Sequence, residues 1–344
     1  MPTSLTRSCR RAAVIGAGAW GTALASTLLR AGLAVRLWGR DQALADGINA
    51  SHINSRYLPG AMLDPQLLAT TDLAASLEDA DLLLAVVPTQ ELRGVLTGLR
   101  PLLDRDVPVV ICCKGLERGS HARPSRIAAE TLGASQPVLV LSGPSFAAEV
   151  VRGLPTAVTL AADSLALADA LAGAMGHTTF RIYPSDDIAG VEIGGAVKNV
   201  LAIAAGVVNG RGLGASAQAA LITRGFAELS TFAACHGARP ETLTGLSCLG
   251  DLILTCNSPQ SRNFAFGVEI GKGRSAADIL ASRKTVTEGV HTVSSVLAMA
   301  ARHGLDLPIC QAVGSILDGE ANVDEAIASL LARPRRREVG TPTP

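Results

Sequence analysis

The chain has 344 residues, 48% of them hydrophobic and only 3% aromatic, with 35 glycines and a formal net charge of zero. That length suggests two domains and is ample for a large core. Balanced charge and the scarcity of stacking aromatics argue against a nucleic-acid partner, and no apolar run reaches the roughly 18 residues of a membrane span.

The start, with Arg7, Arg10 and Arg11, lacks the apolar stretch of a secretory signal, because Gly16 interrupts the run that follows. That run, Ala12-Ala13-Val14-Ile15, reads as a strand, and residues 22–30 read as a helix ended by Gly32. Between them lies Gly16-Ala-Gly18-Ala-Trp-Gly21, and a second strand, Val35-Arg36-Leu37-Trp38, comes after. Strand, glycine turn, helix and strand in this order predict a dinucleotide-binding βαβ unit. Gly16 allows the tight turn, Gly18 the approach of a pyrophosphate, and Gly21 close packing of helix on strand. The pyrophosphate belongs on the free amides of the helix start. An NAD-specific site places an acid near the end of the second strand. Here that strand runs into Gly39-Arg40-Asp41, where Arg40 offers a fork suited to a 2′-phosphate and Asp41 reads as a turn or N-cap residue. The expectation is NADP(H), with NAD(H) also possible.

Further strands are predicted at residues 81–88, 107–113, 137–141, 156–161 and 179–183, each short, apolar or β-branched, and bounded by turn residues. Continuous runs such as Leu82-Leu83-Leu84-Ala85-Val86-Val87 suit a mostly parallel sheet covered on both faces. Beyond residue 187 the texture changes to alanine- and leucine-rich stretches with helical spacing, at 188–208, 215–236, 263–271, 286–303 and 308–317. The expected organisation is an α/β dinucleotide-binding domain over 1–187, an all-α substrate domain over 188–332, and a basic, disordered tail over 333–344. Seven cysteines include no CxxC pair and six histidines no HxxxH spacing. Neither a metal site nor a disulfide framework is expected, and reduced thiols suit the cytoplasm.

Several polar groups stand where apolar residues are the rule. Lys198 lies in Gly194-Gly195-Ala-Val-Lys198-Asn199, inside a long Ala/Val/Ile helix. Such a lysine either snorkels to water or is held beside a partner, and residue type alone leaves both open. Ser261-Arg262-Asn263 opens a helix with the donors of a phosphate site, although Ser261 alone makes a sufficient N-cap. Lys114-Gly115 and Ser142-Gly143-Pro144-Ser145 follow strand ends, where open α/β sheets place ligands, yet each also reads as an ordinary loop. Asp251 precedes an apolar run that it could simply cap.

Together these segments resemble the bacterial-type NAD(P)-dependent glycerol-3-phosphate dehydrogenases. The matching stretches are GAGAWGTALA from 16, CKGLE at 113–117, LSGPSFAAE at 141–149 and GGAVKNVLAIAAG at 194–206. ALITRG at 220–225, LGDLILTC at 249–256, SRNFAFG at 261–267 and TEGV at 287–290 continue the match. The resemblance spans about residues 12–330 and implies a Rossmann-type N-terminal domain followed by an all-α domain. It implies Lys198 as general acid/base, with Lys114 and Asp251 flanking it, and Gly143, Ser145, Ser261, Arg262 and Asn263 holding substrate and phosphate. Beside Gly16, Gly18 and Gly21, it implies cofactor contacts from Ala19, Trp20, Arg40, Lys114, Ala147, Arg262, Val286 and Glu288. A neighbouring Lys114 would depress the Lys198 pKa.

The implied reaction joins dihydroxyacetone phosphate and sn-glycerol 3-phosphate, the latter a precursor of glycerophospholipids, and the implied assembly is a homodimer. Two departures stand out: Gln218 occupies a position where many members carry a basic residue, and Cys112-Cys113 replaces small or hydroxylated residues before Lys114. Two rival readings share some of these features. Another β-hydroxyacid-type dehydrogenase needs no phosphate site at 261–263, and a non-enzymatic NADPH sensor has no use for Lys198.

Overall fold

The structure, a computed structural model, describes residues 9–103, 105–282 and 287–334. Strand and helix alternate through the first half. They run β1 (Arg11–Ile15), α1 (Ala19–Arg30), β2 (Ala34–Trp38), α2 (Gln42–Ser51), β3 (Leu68–Thr70), α3 (Leu73–Leu77), β4 (Leu82–Ala85) and α4 (Thr89–Leu99). There follow β5 (Val109–Ile111), α5 (Pro124–Leu132), β6 (Val138–Ser142), α6 (Ala147–Val150), β7 (Thr156–Ala162), α7 (Leu165–Met175) and β8 (Phe180–Ser185). The strands form one sheet in the order β3-β2-β1-β4-β5-β6-β7-β8. β3 to β6 pair in parallel, β7 runs antiparallel to β6, and β8 is parallel to β7. This is the mostly parallel, Rossmann-like sheet expected.

All four residues of β4 are buried, which is why its sequence is apolar without alternation. The two faces of the sheet feed separate cores. Val14, Leu37, Leu82 and Leu84 point into one, while Ala13, Ile15, Leu83 and Ile111 point into the other. Chain order reverses between β1 and β4, the switch point at which such sheets hold ligands.

The second half is helical: α8 (Ile188–Gly210), α9 (Ala215–Ala234), α10 (Pro240–Leu243), α11 (Asp251–Cys256), α12 (Arg262–Gly271), α13 (Ala276–Ser282), α14 (Glu288–Arg302), α15 (Pro308–Asp318) and α16 (Val323–Leu331). Its core surrounds α8, with Val197, Val200, Leu201 and Ile203 packed against Leu229, Phe232, Phe266 and Val296. α8 and α12 meet backbone to backbone. A Cβ on Gly206 would lie 2.1 Å from the Phe264 carbonyl oxygen, and one on Gly267 2.0 Å from that of Ile203. Those glycines therefore set how closely the two helices cross.

One helix bears on the expectation that no apolar run reaches a membrane span. α8 has the length and, at a mean hydropathy of 1.6, the composition of a membrane span, but its apolar window is wholly buried inside the protein. Counting uninterrupted apolar residues missed it, because Glu192 and Lys198 break the run. It is the central helix of a protein core. Val286 lies outside the described residues, as does the tail beyond Pro334.

Candidate active site

The glycine turn closes as its sequence requires. Gly16 adopts φ +124° and an added Cβ would lie 2.3 Å from the Val86 carbonyl oxygen, while a Cβ on Gly21 would lie 1.8 Å from the Gly16 carbonyl oxygen. Gly18 is different: nothing stands within 4 Å of the place its Cβ would take. It occupies the N-cap position of α1 and no side chain bonds the first amides of that helix. The turn thus presents free N–H groups and open space together, which fits a dinucleotide pyrophosphate. Ala19 and Trp20, the first residues of α1, are half-buried at its edge.

Past the end of β2, Arg40 is exposed and sits 3.7 Å from Glu91. Asp41 caps α2, accepting from Leu44 N, and pairs with Arg56 at 2.6 Å. It is thereby committed as an N-cap, the alternative its sequence position left open.

The second region is a buried charge cluster assembled from distant segments. Lys198, in mid-α8, is 5% exposed and Asp251, at the start of α11, 2%. Lys198 Nζ lies 2.7 Å from Asp251 Oδ1 and donates to Thr255 Oγ1 at 2.7 Å. Thr255 in turn donates to Asp251 Oδ1 at 3.2 Å. The other carboxylate oxygen, Oδ2, receives Lys114 Nζ at 2.6 Å, and Lys114 also donates to the Gly143 carbonyl at 3.1 Å. One carboxylate therefore joins two ammonium groups, one from the loop after β5 and one from α8. A π-type turn at Leu246–Gly250, closed by the Gly250 amide on the Gly245 carbonyl, delivers Asp251 to this point. Such turns recur at functional sites.

Burial is the main cause of a Lys198 pKa lowered to about 8, Asp251 opposing the shift and Lys114 adding to it. The sequence reading credited Lys114 alone, which is the lesser of the two depressing effects. For Asp251, burial pushes the carboxyl up, but the two flanking ammoniums outweigh it and hold the pKa below the usual carboxylate value. The snorkelling alternative for Lys198 does not fit a side chain enclosed and paired in this way.

Of the remaining predicted residues, Ser145 donates to the Gly143 carbonyl at 3.0 Å, and Ala147 opens α6 beside it. Ser261 caps α12 by accepting from Phe264 N. Asn263 donates to Asn199 Oδ1 at 2.9 Å and accepts from Gly289 N at 3.0 Å, so its amide ties α12 to α8 and α14. Arg262, between them, is exposed at the helix start and close enough to Glu288 to bear on its charge. Glu288 accepts from Thr89 N at 3.2 Å, and burial raises its pKa.

Residue typing missed Thr255 and Asn199. Thr255 follows Asp251 by four residues on one helix, a spacing that places both on one face, and Asn199 donates to the Lys114 carbonyl at 3.3 Å. Gln218 donates to the Cys256 carbonyl and to Asn257 Oδ1, both at 3.0 Å, steadying the end of α11. Cys112 and Cys113 are free thiols beside Lys114, with pKa values raised chiefly by burial. Among the described residues, no three His, Cys, Asp or Glu side chains group as a metal site would need.

Comparison with known proteins agrees over most of the chain. Residues 11–168 match the model of the NAD-dependent glycerol-3-phosphate dehydrogenase N-terminus and residues 187–328 that of the C-terminus. A glycerol-3-phosphate dehydrogenase (NAD(P)+) from Rhodospirillum rubrum is 56% identical, covering 96% of this chain and 94% of its own. One from Parvibaculum lavamentivorans is 52% identical, covering 97% of this chain and all of its own. A crystal structure of glycerol-3-phosphate dehydrogenase from Coxiella burnetii superposes with a TM-score of 0.89 at 40% identity, covering 94% of this chain and 99% of that one. This chain belongs to the family of NAD(P)-dependent glycerol-3-phosphate dehydrogenases.

Proposed function

We propose that this chain interconverts dihydroxyacetone phosphate and sn-glycerol 3-phosphate, with Lys198 as the proton donor and acceptor. The observation that carries the assignment is the enclosed Lys198–Asp251–Lys114 cluster, with a lysine whose pKa of about 8 lies near working pH. NAD(P)H supplies the hydride that the ketone carbon takes up. In that direction the Lys198 ammonium gives a proton to the carbonyl oxygen as negative charge develops there. As the free amine, Lys198 takes the hydroxyl proton in the reverse direction. Lys114 places a second positive charge beside the developing alkoxide. Asp251 holds both amines in place and offsets their mutual repulsion. Arg262 and the amides at the start of α12 would grip the substrate phosphate, which must provide most of the orientation for so small a molecule.

The open turn at Gly18 would hold the pyrophosphate and Arg40 the 2′-phosphate. Preference for NADP(H) over NAD(H) is supported by the commitment of Asp41 to capping α2 and pairing with Arg56, beside which the exposed Arg40 offers its guanidinium. The reading extends to a cytoplasmic enzyme feeding glycerophospholipid synthesis, supported by seven free thiols, and to a homodimer in keeping with its family.

Absorbance of NADPH during turnover of dihydroxyacetone phosphate is the test, with a glyoxylate-type acid and a sugar acid as rival substrates. Lys198→Ala should fold, bind NADPH nearly as the parent does, and lose roughly 10²–10⁴-fold in kcat. Near-parental turnover by that variant, or preference for a substrate without phosphate, would overturn the proposal.

A further inference from the structure

α8 carries a second buried charge that takes no part in the lysine–aspartate cluster. Glu192 is 5% exposed. Its Oε1 accepts from Ser125 N at 2.6 Å, its Oε2 accepts from Ser125 Oγ at 2.7 Å, and the Arg123 guanidinium lies 3.5 Å from Oε2. Ser125 belongs to the first turn of α5, and the N-cap residue of that helix, Arg123, has no side-chain acceptor to offer. Glu192 supplies it instead. A carboxylate at a helix start also meets the positive end of the helix dipole. Carboxylate bonds of this kind are roughly twice as strong as neutral ones.

The consequence reaches the active site because the donor and acceptor of this bond belong to different halves of the protein. α5 packs on the dinucleotide-binding sheet, whereas α8 bears Lys198. Elsewhere along this contact Val191 packs into the core of the sheet, Gly195 faces Ser142 and the Lys114 stem with no side chain of its own, and Asn199 reaches the Lys114 carbonyl at 3.3 Å. Glu192 makes a direct charge-assisted link between α8 and the first half, whereas the bridge from Lys198 to Lys114 runs through Asp251, so it bears directly on how far α8 slides and turns against the sheet. Hydride and proton must arrive at adjacent atoms of one small substrate, and a displacement of about 1 Å can cost a hundredfold in rate.

We infer that Glu192 is a positioning residue: by capping α5 it sets the register of α8, and with it the placement of Lys198, against the dinucleotide-binding domain. This rests on Lys198 being the proton donor. A plain structural anchor would behave differently, because its loss would lower the number of folded molecules and leave the rate of each unchanged.

Glu192→Ala, Glu192→Gln and Lys198→Ala are compared with the parent protein. Amide hydrogen exchange over residues 123–127 is followed without cofactor. Active sites are counted by NADPH fluorescence titration. kcat, KM and the isotope effect are then read with NADPH deuterated at the transferred position. Glu192→Ala should exchange faster at the start of α5, keep its NADPH affinity, and lose roughly tenfold to a hundredfold in kcat per NADPH site. Its isotope effect should rise as hydride transfer becomes limiting. Glu192→Gln keeps one acceptor and should show the same changes in smaller degree, and it decides alone if the alanine variant does not fold. Parental kcat per site with an unaltered isotope effect, or unchanged exchange at α5, overturns the inference. If Lys198→Ala is inactive while the Glu192 variants are normal, only the positioning role falls. Turnover by Lys198→Ala would remove the proton-donor reading and this inference with it.

Discussion

At the β1–α1 turn the surface offered to a ligand is backbone and empty space, whereas at the α8–α11 cluster it is side chain and charge. The turn works because Gly16 and Gly21 let main chain approach main chain and because Gly18 leaves room. The cluster works because one carboxylate balances two ammoniums drawn from segments far apart, Lys114 and Asp251 being separated by 137 residues. The first region depends on shape with no charged side chain in the turn, whereas the second depends on the balance of its charges. Substitutions that respect one rule and break the other should separate them.

The largest expected effect follows from Asp251→Asn. It keeps shape but leaves two enclosed ammoniums facing a neutral amide, and breaking a buried pair in this way costs about 3–5 kcal/mol. Urea unfolding measures it, and an unchanged midpoint would mean that the cluster is not held by charge. Next come two glycines of the turn. Gly21→Ala forces a Cβ against the Gly16 carbonyl and should destabilise by about 3 kcal/mol. Gly18→Ala meets nothing in the protein, so it should melt like the parent and bind NADPH poorly. The reverse pattern in melting temperature and affinity would break the distinction between packing glycine and ligand glycine. A smaller change is expected at the exposed Arg40: its replacement by Ala should weaken NADPH relative to NADH by about tenfold, the lower end for a charge-assisted bond. Equal losses for both cofactors would remove Arg40 from the 2′-phosphate site.

An effect confined to one part of the pH range concerns Glu228 on α9, which accepts from Ile309 N and Cys310 N at the start of α15. Burial is the main cause of a pKa raised to about 7, with Asp306 nearby adding to it and the backbone bonds opposing it. Because the folded value lies above the unfolded one, this group's contribution to stability is fully present below the ordinary carboxyl pKa and is lost as pH rises through about 7. Glu228→Gln should flatten that part of the stability–pH curve, and an identical slope in parent and variant would contradict the assignment.

What could be read from the sequence follows the same division between local and distant causes. Buried strands such as β4 announce themselves by continuous apolar character, and the long helix α8 by its alanine- and valine-rich helical spacing in spite of Glu192 and Lys198. β3 does not, since a three-residue edge strand with an exposed Leu68 has no run to detect. α16 was overlooked although its capping box, Asn322 with Glu325, is a local signal. Four other helix starts take their caps from distant segments, although proline at the first helical position marks three of them and α15 is predicted from residue 308. Pro88, Arg123, Arg239 and Leu307 hold N-cap positions without a side-chain cap. Their helices are served from elsewhere in the chain by Glu288, Glu192, Asp187 and Glu228. In the site, the glycine turn is legible because its geometry is local. By residue type Lys198 stands out only as a misplaced charge; Asp251 comes in through the resemblance, and Thr255 emerges only once the helices are packed.

The central claim is that Lys198 exchanges the proton with a pKa of about 8 in the protein before substrate binds, and kcat/KM against pH in both directions tests it most directly. With dihydroxyacetone phosphate the rate should fall as pH rises through about 8, because the ammonium is the required form; with glycerol 3-phosphate it should rise over the same range, because the amine is. Lys114→Met, which removes a depressing charge, should move both limbs to higher pH. Limbs that bend in the same sense in the two directions, or that persist in Lys198→Ala, would contradict the account.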